Sequence, residues 1–203
     1  MEASLTSKVY LHVYDLTQGM AKSLSPMLIG RTIEGIWHTG IVAFGNEYFY
    51  GDGICHMTPA QTPFGSPTKR ELLGETEINI ELFHDFLGDI KDRFSPMNYN
   101  VKSHNCNHFT NECSNFLVGH NIPKDIYGQA EDLFNTPLGK MVEPMVTQQQ
   151  DALKQGSNNM FGTDSGNIAG ALGGMNIADA TSSTSEEKLI VATSMVEVQT
   201  ILN

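Results

Sequence analysis

The sequence predicts an α+β fold: an antiparallel sheet with helices packed against it. Three observations predict this. Short segments with period-two apolar alternation recur through the first 80 positions. A Gly45-Asn46 pair separates two of them as a tight turn separates hairpin strands. From Glu81 onward the apolar spacing lengthens to the helical period. Strands grouped ahead of helices favour separate sheet and helix layers over alternating βαβ units.

The first strand is expected over Lys8–Leu16, with Val9, Leu11 and Val13 on one face. Residues 19–35 read as a connection, because Gly30 and Gly35 punctuate it and Pro26 limits a helix. Gly35–Phe44 and Glu47–Tyr50 follow as strands, and antiparallel pairing across Gly45-Asn46 is the simplest arrangement. Residues 51–67 read as a loop with a short strand around Ile54–His56, and Glu75–Ile80 as a further strand. Leu82, Phe83, Phe86, Leu87 and Ile90 then form one stripe of a helix, which Pro96 ends. Tyr99–Val101 reads as a short extended piece. A second helix is expected from Cys106 to Val118, with Phe109, Cys113, Phe116 and Leu117 on its apolar stripe and Gly119 as its C-cap. Gln129–Phe134 reads as a last short helix.

This pattern defines one domain over residues 1–146. Residues 147–203 are dominated by Gly, Ser, Asn, Gln and Ala. Such a segment buries too little apolar surface to offset its ordering entropy, so it is expected to be a disordered, low-complexity tail. Its end, Leu189–Leu202, is more apolar and could form a short partner-binding motif.

Charge narrows the function. The formal net charge is -11, and no basic patch interrupts it, which disfavours nucleic acid and acidic membranes as partners. No stretch of 18 consecutive apolar residues is present, so no membrane span is expected. The N-terminus lacks the pattern of a signal peptide. Three cysteines, Cys55, Cys106 and Cys113, fit reduced thiols of a cytosolic or nuclear protein better than a disulfide framework.

The densest polar cluster is His104-Asn105-Cys106-Asn107-His108. Cys106 falls where a loop turns into a helix. A thiol there meets the unpaired N–H groups and the positive end of the helix dipole, which favour thiolate and can steady an oxyanion. Composition alone favours a buried structural cysteine; the polar flanks favour a nucleophile. Cys113, on the apolar stripe, reads as core. A cysteine nucleophile needs a base, and the candidates are His12, His38, His56, His84, His104, His108 and His120. His38 sits in a strand between Trp37 and Thr39, with Gly40 leaving room beside it. A zinc site from Cys55, His56, His104, Cys106 and His108 is the rival chemistry, but no C-x-x-C pair is present. No phosphate-binding glycine loop and no G-x-S-x-G elbow occurs. No metal or other cofactor is expected.

The stretches VYLHVYDL, IEGIWHTGIVAFGNEYFYG with the following GICH, HNCNHFTNECSNFLVGHNIP and NTPLGKMVEPM together resemble the PPPDE family of papain-like thiol peptidases, and are similar to its deSUMOylating isopeptidase branch. The resemblance runs over about residues 8–145. It implies a circularly permuted papain-like fold, in which the histidine strand precedes the cysteine helix. It puts the family's catalytic histidine on His38 and its catalytic cysteine on Cys106. It further implies cleavage of the isopeptide bond between a SUMO-like or ubiquitin-like modifier and a substrate lysine, a homodimer, and a cytoplasmic and nuclear location. A deubiquitinase or an S-acyl-protein thioesterase could use the same pair. A non-catalytic module binding ubiquitin-like proteins would tolerate loss of either residue, and both are present. No third catalytic residue is evident. Asn105 and Asn107 could serve as helix caps or loop anchors, and Trp37 reads as a core residue.

Overall fold

The computed structural model describes residues 6–160. Most of the expected tail, including Leu189–Leu202, lies outside the described residues. Five strands form one sheet: β1 (Ser7–Asp15), β2 (Trp37–Ala43), β3 (Asn46–Gly51), β4 (Gly53–Met57) and β5 (Lys69–Thr76). Their order across the sheet is β4-β3-β2-β1-β5, and all neighbours run antiparallel. The helices are α1 (Met20–Ile29), α2 (Ile80–Ile90), α3 (Cys106–Val118), α4 (Lys124–Tyr127), α5 (Gln129–Phe134) and α6 (Pro137–Met160), with a 3₁₀ turn at Pro96–Asn98. The expected antiparallel α+β fold is the one observed, and β2, which carries His38, precedes the helix that Cys106 opens.

Strand alternation gives the sheet two faces. Val9, Leu11 and Val13 share one face with Thr39, Ile41, Tyr48 and Tyr50, as the register Leu11↔Ile41 and Ile41↔Tyr48 requires. Helix α3 packs there: Phe109, Cys113 and Leu117 join Val9, Ile41, Tyr48 and Tyr50 in the main core. Cys113 is fully buried, as its place on the apolar stripe predicts, and burial pushes its thiol well up. His12, Tyr14, His38, Glu47 and Phe49 occupy the other face, under the segment 58–68.

Besides the short, unexpected α4, three elements differ from expectation. Residues 19–35 contain α1. Side chains before it organise its start: the Asp15 carboxylate accepts the N–H groups of Thr17 and Gly19, and the Thr17 hydroxyl accepts that of Ala21. Pro26 sits inside α1, and the helix closes soon afterwards at Gly30, whose left-handed backbone donates to the Pro26 carbonyl. The fifth strand lies upstream of Glu75–Ile80. Residues 77–80 alternate like a strand, but Asn79 caps α2, its side chain accepting the Leu82 N–H at 2.8 Å.

The third difference is α6. It incorporates Pro144 and runs through residue 146 to Met160, so the expected domain boundary falls inside a helix. A side chain at Gly139 would collide with the Leu133 carbonyl and Phe134, so glycine is what lets α5 and α6 meet. Val146 packs in the main core. Buried Gln150 holds the segment before the cysteine helix: its Oε1 accepts the Val101 N–H at 3.2 Å and its Nε2 donates to the Tyr99 carbonyl. Gln150→Ala is therefore expected to lower stability by about 1–3 kcal/mol, because two buried backbone groups lose their partner. Urea unfolding of the full chain beside the variant measures this. An unchanged midpoint would mean that water replaces the carboxamide.

Candidate active site

The segment around Cys106 is built by its neighbours. Asn105 is the N-cap of α3: its Oδ1 accepts the N–H groups of Asn107 and His108. His108 completes a capping box, its Nδ1 accepting the Asn105 N–H. The Asn105 amide also donates to the Val101 carbonyl at 2.7 Å, next to the groups held by Gln150. The expected Asn105 cap and Gly119 C-cap are both present, the latter with a φ of 76°. One expectation needs correction. The N–H groups of Asn107 and His108 are engaged by Asn105, so they do not stand open toward the thiol.

Asn107 and Thr110 fasten the first turn of α3 to β2. The Thr39 hydroxyl donates to Asn107 Oδ1 at 2.8 Å, and Asn107 Nδ2 donates to the Trp37 carbonyl at 2.9 Å. The Thr110 hydroxyl lies 3.1 Å from the Thr39 carbonyl and 3.0 Å from that of Cys106. Both residues flanking His38 are thus tied to the helix that Cys106 begins. Cys106 is fully buried, and its thiol lies 3.7 Å from Asn107 Oδ1. Trp37 is half-buried rather than fully interior. It packs on the second core cluster with Leu11, Val13 and Ile122, and its N–H donates to Gln129.

His38 is 3% exposed and lies among aromatic rings. Phe64, from the segment after β4, stacks on the imidazole with centroids 3.5 Å apart. Phe49 meets it edge-on at 5.9 Å, and Tyr14 is tilted against it at 6.0 Å. Nε2 is buried without a hydrogen-bond partner among the described residues. Burial pushes the imidazole down to about 3.

Sequence reasoning missed a buried polar hub beside this ring. Glu47 Oε2 accepts from His12 Nδ1 at 2.9 Å and from the Ala60 N–H at 2.8 Å, and Oε1 accepts from the Tyr14 hydroxyl at 2.7 Å. Burial alone would raise this carboxyl, but the hydrogen bonds from His12, Ala60 and Tyr14 outweigh it and hold Glu47 below the usual carboxylate range. Gly40 makes the space: a Cβ there would lie 2.7 Å from Glu47 Oε1. A lone acid inside the apolar run around Tyr48 was the available signal; its partners come from distant segments.

The other histidines have separate contacts. His104 bonds the Arg93 carbonyl at 2.9 Å and stacks on Phe94, and His120 bonds the Leu73 carbonyl. His84 bonds the Tyr48 hydroxyl, and exposed His56 lies on β4. Among the described residues no group of three or more His, Cys, Asp or Glu is arranged to hold a metal ion, and no helix is long and apolar enough to cross a membrane.

The depressed His38 and Glu47 act on acid stability with the same sign. Unfolded, His38 takes up a proton below its ordinary value of 6.5; folded, it does so only near 3. Stability is therefore lost as pH falls through that window, and the lowered Glu47 adds to the loss further down. Between pH 7 and pH 5, His38 accounts for about 2 kcal/mol. His38→Leu should remove that part of the decline in urea midpoints, and an unaltered decline would show that His38 is not held neutral.

A thiol opening a helix that is bonded to a histidine-bearing strand, within an antiparallel α+β framework, is the arrangement of papain-like thiol peptidases. Residues 7–147 match the family described as "PPPDE putative peptidase domain", and the chain belongs to this PPPDE peptidase family. Desumoylating isopeptidase 1 of Xenopus laevis is 39% identical over 160 residues, covering 78% of this chain and 94% of that protein. The proteins of the same name from Rattus norvegicus and Homo sapiens are 39% and 38% identical over 148 residues, covering 72% of this chain and 88% of theirs. Family and relatives support a thiol-dependent peptidase activity.

Proposed function

We propose that the chain is a cysteine isopeptidase that removes SUMO or a related ubiquitin-like modifier from substrate lysines, with Cys106 as nucleophile and His38 as base. The observation carrying this reading is the set of hydrogen bonds from Asn107 and Thr110 to Trp37 and Thr39, which binds the first turn of α3 to both neighbours of His38. The similarity to proteins named desumoylating isopeptidase 1 supports this substrate class.

His38 takes the Cys106 proton, and the sulfur attacks the carbonyl carbon of the modifier's terminal glycine. The C–N bond to the lysine amine breaks as His38 returns the proton to that nitrogen. Water, deprotonated by His38, then attacks the thioester, releasing the modifier carboxylate and restoring the thiol. With the N–H groups of Asn107 and His108 engaged by Asn105, α3 helps the developing negative charge chiefly through its positive end.

The test presents three substrates to the full chain: a SUMO–lysine isopeptide, the ubiquitin equivalent and a palmitoyl thioester. Preferred cleavage of the SUMO conjugate is expected. Preference for ubiquitin or for the thioester would transfer the same pair of residues to a deubiquitinase or an S-acyl-protein thioesterase. Binding to a modifier without cleavage of any substrate would leave a non-catalytic module.

A further inference from the structure

Thiol peptidases commonly orient their histidine through a hydrogen bond from its second nitrogen to a third residue. His38 lacks that support here: its Nε2 is buried and has no hydrogen-bond partner among the described residues. Aromatic surfaces hold the ring instead. Phe64 covers it at a 25° interplanar angle, while Phe49 closes one side at 73° and Tyr14 another at 54°. Phe64 also meets Phe49 edge-on at 5.4 Å and Tyr14 at 5.7 Å, so the three rings form one box.

The segment bearing Phe64 is itself anchored. The Ala60 N–H reaches Glu47, and Ala60 adopts a φ of 61°, an uncommon conformation for alanine. The Gln61 N–H closes a turn on the Thr58 carbonyl, and the Gly65 N–H closes one on the Thr62 carbonyl. Phe64 lies between these anchors and Gly65, whose φ is 81°. A large apolar side chain is thus fixed over a polar ring.

We infer that Phe64 is the positioning residue of His38, fixing the imidazole plane by stacking where a hydrogen-bonded third residue would otherwise do so. The inference rests on His38 being the base. Stacking fixes the plane and excludes water from it, but offers no charge to stabilise an imidazolium; the low position of His38 agrees with this. The titratable groups on the ring's face of the sheet are the Tyr14 phenol of β1, with the Glu47 carboxylate of β3, His12 and Arg70 of β5 around it. Phe49 and Phe64 contribute none.

Phe64→Ala, Phe64→Tyr and His38→Ala are compared in the full chain for Tm, kcat, KM and the pH profile of kcat/KM. His38 is also titrated by NMR in the parent and in the two Phe64 variants. Phe64→Ala is expected to stay folded, to lose about 10- to 100-fold in kcat with little change in KM, as a misoriented base should, and to move the His38 titration up toward its ordinary value. Phe64→Tyr should restore kcat and the low titration together. The assignment is overturned if folded Phe64→Ala keeps its kcat and its His38 titration, or if it becomes more active, which would make the segment an inhibitory cover. Near-normal turnover in His38→Ala would instead remove the base assignment beneath the inference, and the NMR titration would still report whether Phe64 governs the ring. If Phe64→Ala unfolds, Phe64→Leu is read the same way.

Discussion

Cys106→Ser and His38→Ala are each expected to lower kcat/KM for a modifier isopeptide by at least about 10³-fold while the domain stays folded. The serine hydroxyl is a poor nucleophile without the thiol's acidity, and it occupies nearly the same volume in a fully buried position. In the proposed mechanism, loss of the imidazole removes the group that takes the proton from sulfur and delivers it to the leaving amine. His38→Ala also opens space among Tyr14, Phe49 and Phe64, so a stability loss of about 1–3 kcal/mol accompanies it. His38→Gln fills more of that space and separates the two effects. Should His38→Ala keep near-normal turnover, the base lies elsewhere. His104 and His108 are poor substitutes, since the Arg93 carbonyl and the α3 capping box already engage them.

Glu47→Ala is expected to be among the most destabilising single changes in the domain, costing about 3–5 kcal/mol at neutral pH. One carboxylate satisfies His12, the Tyr14 hydroxyl and the Ala60 N–H, and its side chain is 1% exposed. Removal leaves three polar groups unanswered and a cavity against Gly40. Glu47→Gln retains the volume, but its amide nitrogen cannot accept a hydrogen bond, so it should cost less and still be measurable. The pH dependence separates charge from packing. The wild-type advantage over Glu47→Gln should shrink as acid protonates the native carboxylate. A constant difference down to pH 3 would show that Glu47 acts through shape alone.

Local signals read most accurately. Helix α3 was legible because Gly119 ends it and Phe109, Cys113 and Leu117 mark its inner face. The Gly45-Asn46 hairpin turn was equally plain. The errors lie where local rules compete with side-chain capping. Pro26 argued against a helix that Asp15 and Thr17 nevertheless organise. The alternation of residues 77–80 imitated a strand that Asn79 turns into a helix start. The polar composition after residue 146 argued against the second half of α6, whose buried Gln150 shows its worth only against Val101 and Tyr99. At the site, the polar cluster pointed to Cys106 and the family resemblance to His38, but neither revealed what surrounds them. The Glu47 hub joins positions 12, 14, 47 and 60, and the Phe64 stack joins positions 38 and 64. Such contacts depend on strand order and register, which no short window contains.

The most direct test of the central claim is to map where an activity-based probe reacts. The full chain is incubated with SUMO bearing a C-terminal electrophile, and the modified residue is identified by peptide mass spectrometry. A single adduct on Cys106, lost in Cys106→Ser and strongly slowed in His38→Ala, is the predicted result. An adduct on Cys55 or Cys113, or equal labelling in His38→Ala, would contradict the assignment of Cys106 and His38 as nucleophile and base.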